Sequence, residues 1–241
     1  SLATVRNVYA VTVSAENGSV KSTVNGITAT DADLAAVSGG KALAFTAHAD
    51  RGYVFDHWTV TKGGESKDYS TKTLTIAALG NNLDVTAVFK KNAAYTLNAA
   101  VSSPSRGVMN YTLYDIYGDP VKENETMPAE GLPVYKGESA VLSVAVKTGS
   151  MMEQWAVNGK NTYTTQKTYT INEIDGDINA TAYLKAASSY AVHFVKMGET
   201  SSKLVAKVDG SEIASGDLQF GGSALQFSAT PENAYMVDHW T

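Results

Sequence analysis

GGKALAFTAHADRGYVFDHW, residues 39–58, recurs twice more without a gap. The second copy is KGESAVLSVAVKTGSMMEQW (136–155) and the third is GGSALQFSATPENAYMVDHW (221–240). Gly40 and Trp58, Gly137 and Trp155, and Gly222 and Trp240 all lie 18 positions apart. An ungapped recurrence marks a repeated structural unit, and repeats govern every later step of a sequence reading. Within the stretch the apolar residues alternate. Leu43, Phe45 and Ala47 share one parity, as do Ala140, Leu142 and Val144, and Leu225, Phe227 and Ala229. A period of two is the signature of a strand with one buried face.

A second block comes after the tryptophan. KTLTIAALGNNLDVTAVFKKNAAY (72–95) matches KTYTINEIDGDINATAYLKAASSY (167–190) without gaps. The closing tyrosine of each opens the next unit, at Tyr95 and Tyr190, and Tyr9 opens the first. The opening strands alternate in the same register: Tyr9, Val11, Val13; Tyr95, Leu97, Ala99; Tyr190, Val192, Phe194. Asn17-Gly18, Asn25-Gly26 and Asp209-Gly210 have the composition of hairpin turns. DADLAAV (31–37) is the best short-helix candidate.

The expected architecture is mainly β, with three small tandem repeat domains. Their bounds are 8–91, 92–187 and 188–241, and residues 1–7 form the closing strand of a preceding repeat. The second repeat carries extra residues in GDPVKENETMPAEGLP, whose turn formers predict an enlarged loop. The third stops just past its tryptophan, before the second block, and is expected to be incomplete, in a window on a longer array. KNAA (91–94) and AASS (186–189) are short connections that favour limited bending over free tumbling.

Composition narrows the function classes. Of 241 residues 44% are hydrophobic, enough for packed cores. The net charge of −5 and the lack of a long basic run argue against nucleic-acid binding. No apolar run approaches the length of a membrane span. There is no cysteine, so neither a disulfide nor a thiolate metal site is available.

Several residues invite a chemical reading. Asp56-His57 and Asp238-His239 resemble an acid–imidazole pair, but the matching positions of the second repeat hold Glu153-Gln154. Glutamine cannot act as a general base, yet it hydrogen-bonds much as a neutral histidine does. The three-residue step from Phe55 to Trp58 breaks strand alternation, which predicts a bulge with a polar pair at the bend. His193 matches Thr12 and Asn98, on a strand's outer face, and His48 matches Ala145 and Thr230. IDGDIN (174–179) spaces Asp175, Asp177 and Asn179 like a calcium loop, but Gly176 comes too early and the terminal glutamate is missing. Trp58, Trp155 and Trp240 sit at a fixed distance from the apolar strand and read as core anchors. With them Phe45, Leu142 and Phe227 are expected to be buried. No catalytic residue, cofactor or metal is predicted. The ligand-binding candidates are Tyr111, Tyr114 and Tyr117 in YTLYDIYGD (111–119), because so small a domain cannot bury both faces of one strand.

The pattern of opening tyrosine, apolar strand, GY-x-F-x-x-W and closing T-A-x-[F/L]-K resembles the divergent InlB B-repeat domains of the Listeria–Bacteroides repeat group. Gly52, Tyr53, Phe55 and Trp58 carry it in the first repeat. The third keeps Tyr235 and Trp240 but has Ala234 and Val237, and the second has Ser150 and Met152 beside Trp155. The resemblance implies a small β-grasp-like fold in tandem arrays on bacterial surface and secreted proteins, as non-enzymatic spacers or adhesive modules. The expected function is therefore a non-catalytic stalk, spacer or adhesin segment, extracellular at the cell surface or wall. The alternative is a module binding a glycan or host protein through the tyrosines of the second repeat. Because LATVR (2–6) matches TAVFK (86–90), head-to-tail self-association of this chain is a further expectation, with Leu2 to Arg6 of one copy joining the third repeat of the next.

Overall fold

The computed structural model describes residues 7–198 and 201–241. The Leu2–Arg6 strand and its expected partner contact therefore lie outside the described residues. The chain forms two compact units, one ending at Tyr95 and one beginning at Thr96.

Among the described residues the first unit holds ten strands: β1 (Val8–Tyr9), β2 (Val11–Ala15), β3 (Gly18–Val24), β4 (Ile27–Ala29), β5 (Val37–Ser38), β6 (Leu43–Ala49), β7 (Tyr53–Lys62), β8 (Glu65–Tyr69), β9 (Thr73–Ile76) and β10 (Leu83–Lys91). Two four-stranded sheets form, in the orders β2-β10-β7-β8 and β4-β3-β6-β9, and β1 pairs β5. Alternation predicted β6 correctly: Leu43, Phe45 and Ala49 are buried and Thr46 and His48 are exposed. Buried residues of both sheets form one core, including Val11, Trp58, Val60, Val85 and Ala87 from the first and Leu43, Phe45 and Leu74 from the second. The only helix among the described residues is α1 (Asp31–Leu34), one turn closed by a reciprocal capping box between Thr30 and Asp33.

Asn25 and Gly26 both take positive φ, at 49° and 81°, and close the β3–β4 hairpin as expected. Asn17-Gly18 does not close a hairpin: it joins β2 to β3, which lie in different sheets. Gly18 is required for a different reason. A Cβ there would lie 2.6 Å from the Phe89 ring and from the His48 carbonyl.

The second unit repeats this plan. Its strands are β11 (Ala94–Val101, beginning just before the unit boundary), β12 (Gly107–Tyr114), β13 (Pro120–Thr126), β14 (Leu132–Tyr135), β15 (Ser139–Val146), β16 (Ser150–Val157), β17 (Lys160–Asn161), β18 (Thr168–Ile171) and β19 (Ile178–Ala186). Sheets β14-β11-β19-β16-β17 and β13-β12-β15-β18 correspond to those of the first unit. The registers agree in detail. Phe45 faces Leu74 and Leu142 faces Tyr169; the parallel pair Val11–Leu83 becomes Leu97–Ile178. Within the segment expected as an enlarged loop, 127–131 stay outside any strand and Pro120–Thr126 form β13, an edge strand against β12. Proline sits at its first position, where no sheet donor is lost.

The rest of the unit holds β20 (Ser189–Ala191), β21 (Lys203–Val208), β22 (Ser211–Ile213), β23 (Leu218–Phe220) and β24 (Leu225–Thr230). Asp209-Gly210 closes the β21–β22 hairpin, with φ of 48° and 84°. Here the burial expectation fails. Phe45, Leu142, Trp58 and Trp155 are 0% exposed, whereas Phe227 is 40% and Trp240 58% exposed. Among the described residues no strand pairs the second edge of β24, so Phe227 lacks the neighbour that Leu74 and Tyr169 provide in the other two sheets.

The contrast is measurable. Phe45→Ala should destabilise the first unit by about 3–5 kcal/mol in chemical denaturation, because a large ring leaves a closed site. Phe227→Ala should cost less than about 1 kcal/mol, because its ring already meets water.

Candidate functional site

The Asp-His motif sits where β7 crosses β10. The pairing runs His57 to Val88 and then Phe55 to Phe89, leaving Asp56 as the extra residue of a bulge. In β16 the pairing runs Gln154 to Tyr183 and Met152 to Leu184, leaving Glu153 in the same role. The bulge read from the three-residue step is present in both.

Its polar groups satisfy one another on the sheet's outer face. Asp56 Oδ1 meets Lys90 Nζ at 2.8 Å, and Asp56 Oδ2 meets His57 Nδ1 at 2.8 Å. His57 Nε2 lies 3.9 Å from Asp68. Glu153 pairs with Lys185 at 3.8 Å, the counterpart of Lys90. What recurs is an acid on the bulge and a lysine on the closing strand. The lysine partner was missed in the sequence, although the closing T-A-x-[F/L]-K places it at one offset in both repeats. Asp238 and His239 pair at 2.7 Å with both side chains largely exposed. Among the described residues His57 faces only carboxylates, Asp56 and Asp68, and no nucleophilic side chain, which is not the geometry of a triad.

The calcium-like segment also has a structural role that recurs. Asp177 Oδ1 accepts from the backbone N–H of Thr96 at 2.8 Å, and in the first unit Asn82 Oδ1 accepts from that of Ala10 at 3.0 Å. Asn179 is tied to Asn98 and Asn158. No group of three or more potential metal ligands occurs among the described residues. His48 is exposed near the end of β6; His193, expected on a strand's outer face, is exposed but lies past the end of β20, outside any strand.

The tyrosines do not share one surface. Tyr111 is 3% exposed, and its hydroxyl donates to Glu125 on β13 at 3.3 Å, so its ring is core and offers no ligand platform. Tyr114 ends β12 half-buried. Tyr117 is 44% exposed in a turn organised by Asp115, whose carboxylate accepts from the N–H of Tyr117 and of Asp119. At the opposite end of β12 lies an open cleft of about 530 Å³. Val101, Val108, Met109, Met127, Asn98 and Thr181 contribute to its walls. In the first unit the equivalent connection, from β4 to β5, carries α1 with Leu34 buried; the connection from β13 to β14 has no helix.

Trp58 and Trp155 complete the set of shared positions. Each indole N–H donates to a backbone carbonyl at 2.9 Å, Thr71 for the first and Gln166 for the second. Aromatic rings pack beside them, Phe55 at 5.3 Å and Tyr169 at 5.7 Å between centroids. Residues 9–93, which hold the first set of these features, match the model of the divergent InlB B-repeat domain. The match covers this segment alone. No curated protein matches the chain. The second unit keeps the first unit's sheet order, bulge, tryptophan hydrogen bond and closing lysine.

Lys90, and then His57, hold the Asp56 carboxyl below its ordinary value of 3.8 by hydrogen bonding. A depressed folded value means that the group stabilises the fold above pH 3.8 and loses that contribution as pH falls through the folded value. Asp56→Asn should therefore flatten the acid side of the melting-temperature profile while leaving the far-ultraviolet spectrum at pH 7 unchanged. An unaltered acid limb would show that the pair with Lys90 is not formed.

Proposed function

We propose that the chain is a non-catalytic repeat segment of a bacterial cell-surface or secreted protein, extracellular at the surface or wall, with B-repeats at 8–91 and 92–187 and a third beginning at Ser188. InlB B-repeat domains occur in bacterial surface proteins. The observation that carries the spacer reading is the parallel pairing of the first and last strands of a repeat, β2 with β10 and β11 with β19. Parallel first and last strands bring the chain in at one end of the sheet and out at the other. A nine-residue strand such as β10 spans about 30 Å. Each repeat thus holds its entry and exit points apart by about the length of its sheet. Antiparallel end strands would return the chain to its entry point.

The connections support the same reading. Asn92 and Ala93 alone separate β10 from β11, and the N–H of Asn92 donates to the Gly52 carbonyl. Ala187 and Ser188 separate β19 from β20, and the N–H of Ala187 donates to the Gly149 carbonyl. The Phe220 ring lies against Gly149, 3.1 Å from where a Cβ would sit.

The second reading is binding of a glycan or host protein by the second repeat. The cleft beneath Met127 and the exposed Tyr117 favour it; the burial of Tyr111 removes the platform first expected.

Replacement separates the two. In the full surface protein, exchanging residues 8–187 for unrelated folded repeats of equal span should preserve surface presentation and adhesion. Adhesion lost on exchange and regained only with this sequence would overturn the spacer reading in favour of binding.

A further inference from the structure

The first and last strands of a repeat are joined by more than their backbone ladder. β2 lies beside β10 over five parallel positions, from Val11–Leu83 to Ala15–Ala87, and β11 lies beside β19 over five, from Leu97–Ile178 to Val101–Ala182. Side chains bridge each pair as well. At the starting end Asn82 accepts from the N–H of Ala10 at 3.0 Å, and Asp177 from that of Thr96 at 2.8 Å. Along the outer face the Ser14 and Thr86 hydroxyls share a hydrogen bond of 2.9 Å, and Asn98 Nδ2 donates to Asn179 Oδ1 at 3.1 Å. At the far end of the second ladder the N–H of Ser102 donates to the Ala182 carbonyl, and the Ser102 hydroxyl accepts from the N–H of Leu184. The starting-end bridges use different residue types at equivalent positions, so the bond recurs although the residue does not.

The inner face of both pairs is sealed. Val11, Leu83, Val85 and Ala87 are buried, as are Leu97, Ile178, Ala180 and Ala182. Water, which would take over a strained ladder bond, reaches these bonds from the outer face only. The direction of load then decides what such a joint does. The strands are parallel, so the chain enters at the start of β2 and leaves at the end of β10. Tension along the chain draws the two strands in opposite directions along their shared axis, and every ladder and side-chain bond bears it together. In an antiparallel hairpin such as β3 with β4, tension on the two open ends acts on the endmost bond, and the bonds part in turn.

We propose that each repeat is a tension-bearing link, in which β2 with β10, and β11 with β19, act as shear clamps that keep the repeat folded while force passes through its two ends. The setting, a chain held at both ends, rests on the spacer reading; the clamp itself rests on the two ladders and their side-chain bridges. Forced unfolding is governed by the unfolding rate and not by equilibrium stability. Resistance to force is therefore a property distinct from holding entry and exit points apart.

The test is to pull single molecules of the 241-residue chain along two directions. The chain has no cysteine, so paired substitutions give unique attachment points. Ala10→Cys with Lys91→Cys loads the first repeat along the clamp. Glu16→Cys with Lys91→Cys places both handles at one end of it, where β2 peels from β10. All three positions are exposed. Both forms should unfold with a length gain of roughly 200–250 Å. At equal loading rate the first should need at least about twofold more force than the second. Asn82→Ala, which removes the acceptor for the Ala10 N–H from an exposed position, should lower the force along the clamp. It should leave the peeling force unchanged, because peeling starts at the other end. Equal forces in the two directions, or an Asn82→Ala form as resistant along the clamp as its parent, would overturn the proposal. Either result leaves the spacer reading to its own exchange experiment.

Discussion

Each completed repeat depends on one polar atom at the centre of an apolar core. The indole N–H of Trp58, and of Trp155, must find an acceptor because the ring is fully shielded from water. A buried donor left unpaired costs about 1–3 kcal/mol. The acceptor is the carbonyl just ahead of the last strand of the opposite sheet, Thr71 before β9 and Gln166 before β18. One side chain therefore belongs to one sheet by its backbone and to the other by its hydrogen bond. Around β24 no such strand is present among the described residues, and Trp240, Phe227 and Leu225 are all exposed together.

The residues with the most chemical appearance serve this framework. The bulge at Asp56 turns β7 so that Phe55 and Trp58 both reach the core side, which strict alternation forbids at a spacing of three. An acid then stands on the outer face, where a lysine of the closing strand meets it. Exposed pairs of this kind contribute little to stability compared with core packing. Histidine in one copy and glutamine in another is what such a position tolerates, because either supplies a hydrogen-bonding side chain.

Much of this was legible in the amino-acid order. Alternation located β6 and β15, and the step from Phe55 to Trp58 located the bulge. What escaped depends on partners distant in sequence. Tyr111 and Tyr114 belong to one strand of mixed parity, and only the placement of β13 decides that Tyr111 goes inward to meet Glu125. GDPVKENETMPAEGLP is full of turn formers, yet the free edge of β12 recruits its centre as a strand; tertiary pairing overrides local preference there. Asn17-Gly18 has the composition of a hairpin turn, but the parallel pairing of β2 with β10 sends β3 to the other sheet. The exposure of Phe227 needed knowledge of its neighbours, which no alternation within β24 supplies.

Hydrogen exchange of the three indole N–H groups by nuclear magnetic resonance tests the central claim most directly, since each gives a separate signal. The account predicts strong protection for Trp58 and Trp155, lost only on unfolding of their own cores, and exchange close to the free-indole rate for Trp240. Rapid exchange at Trp58 or Trp155 in the folded protein would contradict it.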